Sequence, residues 1–96
     1  MDKMEPQEIE QQLAEFPEWS QIGDTLQRTF NFDDFDGAMD FVGRIADLAR
    51  EQEHHPDIMI RYNKVTLTLS THDAGGLTVK DFEFARATDT MVAAET

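Results

Sequence analysis

The segment IMIRYNKVTLTLSTH, residues 58–72, predicts a β-hairpin and sets the frame for the rest of the chain. Ile58, Ile60 and Tyr62 alternate with other residues, which is the period of a strand. Asn63-Lys64 predicts a tight turn. The second strand then divides its side chains between two faces: Val65, Leu67, Leu69 and Thr71 against Thr66, Thr68, Ser70 and His72.

Amphipathic helices are predicted on both sides of this hairpin. Upstream, apolar residues recur every three or four positions: Phe35, Ala38, Val42, Ile45 and Ala49. This spacing predicts a long helix, capped by Asp33 or Asp34 and ended before Pro56. Downstream, residues 73–76 predict a loop, and a final helix begins at Thr78.

The first half of the chain repeats the pattern of a helix followed by a hairpin. Pro6 suits the first turn of a helix that Pro17 ends. A strand with alternating residues follows at 25–32, and residues 19–22 are its expected partner. The resulting order, α-β-β-α-β-β-α, predicts an α+β two-layer sandwich with a four-stranded antiparallel sheet and helices on one face. We expect residues 1–96 to form a single domain whose open sheet edges pair with another subunit.

Composition excludes several classes of function. Eight basic against twenty acidic residues give a net charge of −12, which disfavours nucleic-acid binding and otherwise serves solubility. The apolar stretches are too short to span a bilayer, and no signal peptide is recognisable. The absence of cysteine excludes disulfides and thiolate ligands. We therefore expect a cytoplasmic protein with neither a nucleic-acid nor a membrane partner.

The three histidines are the candidate catalytic residues. His54 and His55 precede the first strand of the second hairpin, and His72 follows the second strand. In an antiparallel hairpin these two ends lie side by side, so the three imidazoles can converge. Histidine donates and accepts protons near neutral pH, which suits acid–base catalysis. The alternative is that all three are ordinary turn and surface residues without a chemical role.

A metal site is the main chemical rival to acid–base catalysis. Three imidazoles with an open position would suit catalytic zinc. Neighbours in an extended segment point to opposite sides, however, so His54 and His55 are poorly placed to bind one ion together. We therefore predict no metal. Asp81 has an ordinary explanation as well, because it stands three residues after Thr78 in the spacing of a capping box, which leaves room for a second role.

Several motifs resemble the pterin-4a-carbinolamine dehydratase family in order and spacing: Glu53-His54-His55-Pro56-Asp57, Tyr62-Asn63-Lys64-Val65, Thr71-His72-Asp73-Ala74-Gly75-Gly76-Leu77 and Asp81. The resemblance covers roughly residues 8–92. It implies dehydration of 4a-hydroxytetrahydropterin to quinonoid dihydropterin, which recycles the pterin for aromatic amino acid hydroxylases, with no cofactor. By position it assigns His54, His55 and His72 as catalytic residues, and Glu53 and Asp81 as substrate-binding residues.

The resemblance also has departures and alternatives. Ile58 stands where members often have Trp, Arg50 where they often have an acidic residue, and Lys80 where they have Arg; these changes concern pterin affinity more than reaction class. The family also supplies dimerisation partners of transcription factors, so a non-catalytic interaction module with a vestigial pterin pocket is the second hypothesis. A lyase or isomerase acting on another substrate is the third. The presence of all three histidines favours catalysis. The protein is expected to form a homodimer or homotetramer.

Overall fold

A computed structural model describes residues 2–94 of the chain. Its elements are α1 (Pro6–Leu13), β1 (Ser20–Ile22), β2 (Thr25–Asn31), α2 (Phe35–Gln52), β3 (Asp57–Arg61), β4 (Lys64–Leu69), a 3-10 turn (His72–Ala74) and α3 (Val79–Ala94). This order confirms the predicted α-β-β-α-β-β-α succession, with the 3-10 turn as an addition. Within residues 2–94, no helix is both long and apolar enough to cross a lipid bilayer.

The four strands form one antiparallel sheet in the order β1-β2-β4-β3. The two predicted hairpins are joined by pairing of β2 with β4, which places Leu26 opposite Leu69 and Phe30 opposite Val65. β3 pairs with the other side of β4, with Ile58 opposite Leu67. The short strand β1 and the strand β3 are therefore the two edges.

The core lies between one face of the sheet and the helices, so the predicted two-layer sandwich is confirmed. Its sheet residues are buried: Leu26, Phe30, Val65, Leu67 and Leu69. Helices α2 and α3 supply most of the remaining core: Ala38, Phe41, Ile45, Ala49, Phe82, Phe84 and Ala85. On the opposite face the central strands carry polar side chains, and the hydroxyls of Thr29 and Thr66 lie 2.8 Å apart. Burial of one face and hydration of the other is the usual state of such a sheet.

Two details of the second hairpin differ from the prediction. The turn lies at residues 62–63, one position earlier than expected, with Tyr62 in the left-handed region at φ 53°. All five residues of β3 are exposed, although alternation alone suggested a half-buried strand. The reason is position, because an edge strand receives less cover from the helices than the central strands β2 and β4.

Candidate active site

The end of α2 places His54 in the interior. Its C-cap residue, Glu53, takes a left-handed conformation at φ 52°, a position usually held by glycine or asparagine. The chain therefore reverses, and the His54 N–H donates to the Ala49 carbonyl at 3.1 Å. The His54 ring is 10% exposed and meets the edge of Phe84 with ring centroids 6.2 Å apart. The histidine thus lies between the end of α2 and the inner face of α3.

Asp81 holds the buried end of the His54 ring. Its Oδ1 lies 2.6 Å from His54 Nε2, and the aspartate is fully buried. Its Oδ2 accepts hydrogen bonds from the Thr71 hydroxyl and the Thr78 backbone N–H, both at 2.9 Å. An ionised carboxylate only accepts hydrogen bonds, so Nε2 carries the hydrogen. Neutral His54 then keeps its lone pair on Nδ1, the nitrogen at the other side of the ring.

The same aspartate also caps α3, as the spacing of the capping box predicted. Asp81 Oδ2 bonds the Thr78 N–H, and the Thr78 hydroxyl in turn accepts the Lys80 N–H at 3.2 Å. The two carboxylate oxygens therefore have different partners: Oδ2 accepts a hydrogen bond at the start of the helix, and Oδ1 bonds the histidine. Because the cap fixes the carboxylate at the first turn of α3, the direction of the His54 bond is set by the helix itself.

His72 is not on the strand face where the sequence placed it. β4 ends at Leu69, and His72 is an exposed residue that opens the 3-10 turn His72–Ala74. The chain turns here because the Thr71 carbonyl accepts the N–H groups of Ala74 and Gly75, the latter at φ 75°. The neighbouring Thr71 nevertheless reaches Asp81, so the two stretches carrying His54 and His72 meet around one carboxylate.

His55 and Glu53 are exposed on either side of the buried His54. The change from buried to exposed between adjacent histidines fits an extended segment, whose successive side chains point to opposite sides. Pairing of β3 with β4 begins at Asp57 and Thr68, so residues 53–56 enter the sheet beside the end of β4. This is the arrangement of chain ends that the hairpin predicted.

Two threonines complete this site, and the sequence linked only one of them to Asp81. Thr78 is expected as the N-cap of a capping box with Asp81, whereas Thr71 is expected only on a strand face. Their hydroxyls lie 2.7 Å apart across the glycine loop, and both residues bond Asp81. No spacing rule links them, because the loop geometry that brings them together is a property of the folded chain.

In the described part of the chain, neither a cluster of metal-binding side chains nor an apolar groove is found at these residues. Among residues 2–94, no group of three or more His, Cys, Asp or Glu side chains is arranged to hold a metal ion. An apolar groove of about 390 Å³ between α1 and α3 is lined by residues including Phe16, Phe82 and Arg86. It lies on the outer side of α3, whereas Asp81 faces inward, so the groove is separate from the histidine site.

Comparison with known proteins gives consistent results. The profile of a family described as pterin 4 alpha carbinolamine dehydratase matches residues 2–91. A protein of Picosynechococcus sp. is 52% identical over 84 residues, which cover 88% of this chain and 91% of that protein. One of Chloroflexus aurantiacus is 49% identical over 92 residues, covering 96% and 99%. Both carry the provisional name pterin-4-alpha-carbinolamine dehydratase.

A solved structure is similar over nearly the whole fold. The crystal structure of a transcriptional coactivator/pterin dehydratase from Brucella melitensis superposes with a TM-score of 0.88 at 30% sequence identity. The match covers 93% of this chain and 97% of that one.

Proposed function

Because this chain belongs to the pterin-4-alpha-carbinolamine dehydratase family, we propose that it removes water from 4a-hydroxytetrahydropterin to give quinonoid dihydropterin. The observation that carries the mechanism is the buried His54–Asp81 hydrogen bond beside the exposed His55. One histidine is held in a single orientation by the interior, and its neighbour is free to meet a ligand.

The reaction needs one proton donor and one proton acceptor. The 4a-hydroxyl is a poor leaving group until an acid protonates it, after which the C4a–O bond breaks and water departs. The N5 lone pair forms a double bond to C4a, and N5 then loses its hydrogen to a base. The acid gives one proton and the base takes one, so the atoms balance with loss of a single water molecule. Positioned side chains typically accelerate such transfers by about 10²–10⁴-fold.

The environments of the histidines suggest how these roles are divided. We assign the base to His54, because Asp81 holds its Nε2–H and leaves the Nδ1 lone pair to accept the N5 proton. We assign the principal catalytic role to the exposed His55, as the acid on the hydroxyl. His72 is exposed on its 3-10 turn and would serve as the acid or base on the other face of the pterin ring.

The two acidic residues receive different roles in this proposal. Glu53 is exposed beside the histidine pair and is assigned to bind the pterin. Asp81 is fully buried with both oxygens hydrogen-bonded, which favours an effect on the substrate through His54. Direct binding of the pterin by Asp81 stays a prediction from the family resemblance.

The decisive experiment follows dehydration of synthetic 4a-hydroxytetrahydropterin by its absorbance change. The wild-type chain should accelerate the reaction over buffer, and His55→Ala should lower kcat by about 10²-fold. An unimpaired His55→Ala enzyme would refute the assignment of the principal catalyst. Absence of any acceleration, together with retained binding of a dihydropterin, would instead favour the interaction module.

We also propose that the reaction needs no metal. Activity should survive treatment with EDTA, and protein purified without added zinc should contain far less than one zinc per chain. Stoichiometric zinc, or loss of activity with EDTA that zinc restores, would overturn this. In the cell we place the chain in the cytoplasm, where it would regenerate pterin for an aromatic amino acid hydroxylase; the absence of cysteine fits a reducing compartment.

The edge strand β3 suggests a homodimer. Its sequence, DIMIR at residues 57–61, places an acid and a base at equal distances from Met59. If two copies pair antiparallel about Met59, Asp57 meets Arg61 of the partner subunit on the open face, which is the face of the sheet that the helices do not cover. Ile58 then meets the partner's Ile60 on the helix face, which would cover apolar residues that are otherwise exposed. We propose this symmetric pairing as the subunit contact, and a tetramer would need a second surface.

A further inference from the structure

Thr71 makes more hydrogen bonds around the candidate site than any spacing in the sequence suggested. Its hydroxyl lies 2.9 Å from Asp81 Oδ2 and 2.7 Å from the Thr78 hydroxyl. Its carbonyl accepts the Ala74 and Gly75 N–H groups at 3.0 and 3.1 Å, and its own N–H donates to Gly76 at 3.0 Å. One residue therefore contacts the carboxylate behind His54 and also closes the loop that carries His72.

The hydroxyl bonds admit only one order of protons. An ionised Asp81 cannot donate, so the single Thr71 hydroxyl proton points to Oδ2. The Thr78 hydroxyl must then donate to Thr71, and its lone pair accepts the Lys80 N–H. Each of these two hydroxyls therefore donates one hydrogen bond and accepts one. Such ordered networks hold their members more firmly than isolated pairs do.

This order has a consequence for His54. With Oδ2 engaged by Thr71 and by the Thr78 N–H, Asp81 presents Oδ1 to the histidine and cannot rotate without breaking both bonds. We propose that Thr71 is a positioning residue that fixes the ring orientation and the Nε2–H tautomer of His54 through Asp81. The catalytic part of this inference rests on the proposed dehydratase function, whereas the tautomer can be measured without it.

Three variants separate positioning from simple loop stabilisation. Thr71→Val removes the hydroxyl but keeps the β-branched shape, and Thr71→Ser restores the hydroxyl. Thr29→Val is the matched control, since it breaks the equivalent 2.8 Å hydroxyl pair with Thr66 on the open face of the sheet. Circular dichroism verifies folding, and Thr71→Ala replaces Thr71→Val if the valine variant does not fold.

Dehydration kinetics give the first readout. Thr71→Val should lower kcat by about tenfold and change KM by less than about twofold. The loss in kcat is smaller than the full rate acceleration that a positioned base contributes, because His54 is still present. Thr71→Ser should keep at least about half of wild-type kcat, and Thr29→Val should match wild type. The inference is overturned if Thr71→Val keeps wild-type kcat, if serine fails to rescue, or if the loss is confined to KM.

Nitrogen-15 NMR of the His54 ring gives a second readout that needs no activity. Wild type should show the Nε2–H tautomer with a slowly exchanging, downfield proton, as expected of a short buried hydrogen bond. Thr71→Val should show mixed tautomers or faster exchange, and Thr29→Val should not. An unchanged His54 spectrum in Thr71→Val would contradict the inference. If wild type fails to dehydrate the substrate, the proposed function fails, and the spectra alone decide the role of Thr71.

Discussion

His54 and His55 are adjacent and chemically identical, yet their surroundings differ completely. The first is buried against α3 and bonded to a carboxylate, and the second is exposed. A histidine whose one nitrogen is held by an aspartate has a defined tautomer, and the other nitrogen is then available for proton transfer. This is the physical basis on which two neighbouring imidazoles can take different roles in one reaction.

We predict that Asp81→Asn impairs catalysis more than folding. The amide can turn its NH₂ toward Nε2, which would favour the opposite tautomer of His54 and remove the base; in serine proteases the analogous change costs about 10⁴-fold. We expect kcat to fall by at least about 10²-fold. Steady-state kinetics and thermal unfolding measure the two effects separately.

Asp73→Asn is the control for this prediction. Asp73 is an exposed acidic residue in the same loop as His72, so its substitution removes the same charge without touching Nε2. It should leave kcat within about twofold of wild type, since exposed side chains contribute little. Equal losses in the two variants would mean that charge near the site, and not the His54 bond, is what matters.

The loops and helices differ in what they demand of glycine. Gly75 ends the 3-10 turn at φ 75°, and Gly43 lies within α2; a Cβ at either position would meet nothing within 4 Å. We predict that Gly75→Ala lowers the free energy of unfolding by about 1 kcal/mol, because alanine is strained at positive φ. Gly43→Ala should raise it by about 0.8 kcal/mol through helix propensity. Urea denaturation tests both predictions. If the two substitutions changed the free energy of unfolding in the same direction, the explanation would be wrong.

The edge strand β3 yields a prediction about assembly. Under symmetric pairing about Met59, Arg61→Asp places two acids opposite each other and should shift the protein toward monomer. Adding Asp57→Arg restores opposite charges and should restore the dimer. Sedimentation equilibrium measures both, with Lys64→Asp as the control, because Lys64 pairs with Arg61 inside the subunit. A double variant that stays monomeric, or a wild-type monomer, would eliminate this interface.

Charge acts on the molecule as a whole. The chain has twenty acidic and only eight basic residues, so the excess negative charges repel one another in the compact state. Two of the ion pairs in the described part of the chain, Arg50–Asp47 and Arg86–Glu15, are largely exposed and offset little of this repulsion. The folded state therefore carries an electrostatic penalty that dissolved salt should relieve.

We accordingly predict that salt stabilises the fold. Raising NaCl from about 20 mM to about 500 mM shortens the Debye length several-fold and should raise the free energy of unfolding in urea by about 1 kcal/mol. Glu18→Gln removes one exposed negative charge and should reduce this gain slightly. A stability that falls with added salt would mean that attractive ion pairs outweigh the net repulsion.

Much of this protein follows from local patterns in its sequence. The order of elements and the two-layer fold follow from the alternation in residues 25–32 and 58–69, the helical spacing from Phe35 to Ala49, the prolines at 6 and 17 and the capping box at Thr78 and Asp81. Hairpin geometry also predicted that the start of β3 lies beside the end of β4. These inferences succeed because periodicity, turns and caps depend on residues close in the chain.

Tertiary structure decided which atoms meet. The burial of Asp81 and His54 and the hydroxyl bond from Thr71 to Asp81 depend on how α3 packs against the rest of the fold. The exposure of β3 likewise depends on its place at the edge. Sequence spacing measures distance along the chain, whereas a hydrogen bond depends on positions within tenths of an ångström in space, and only packing between elements determines those.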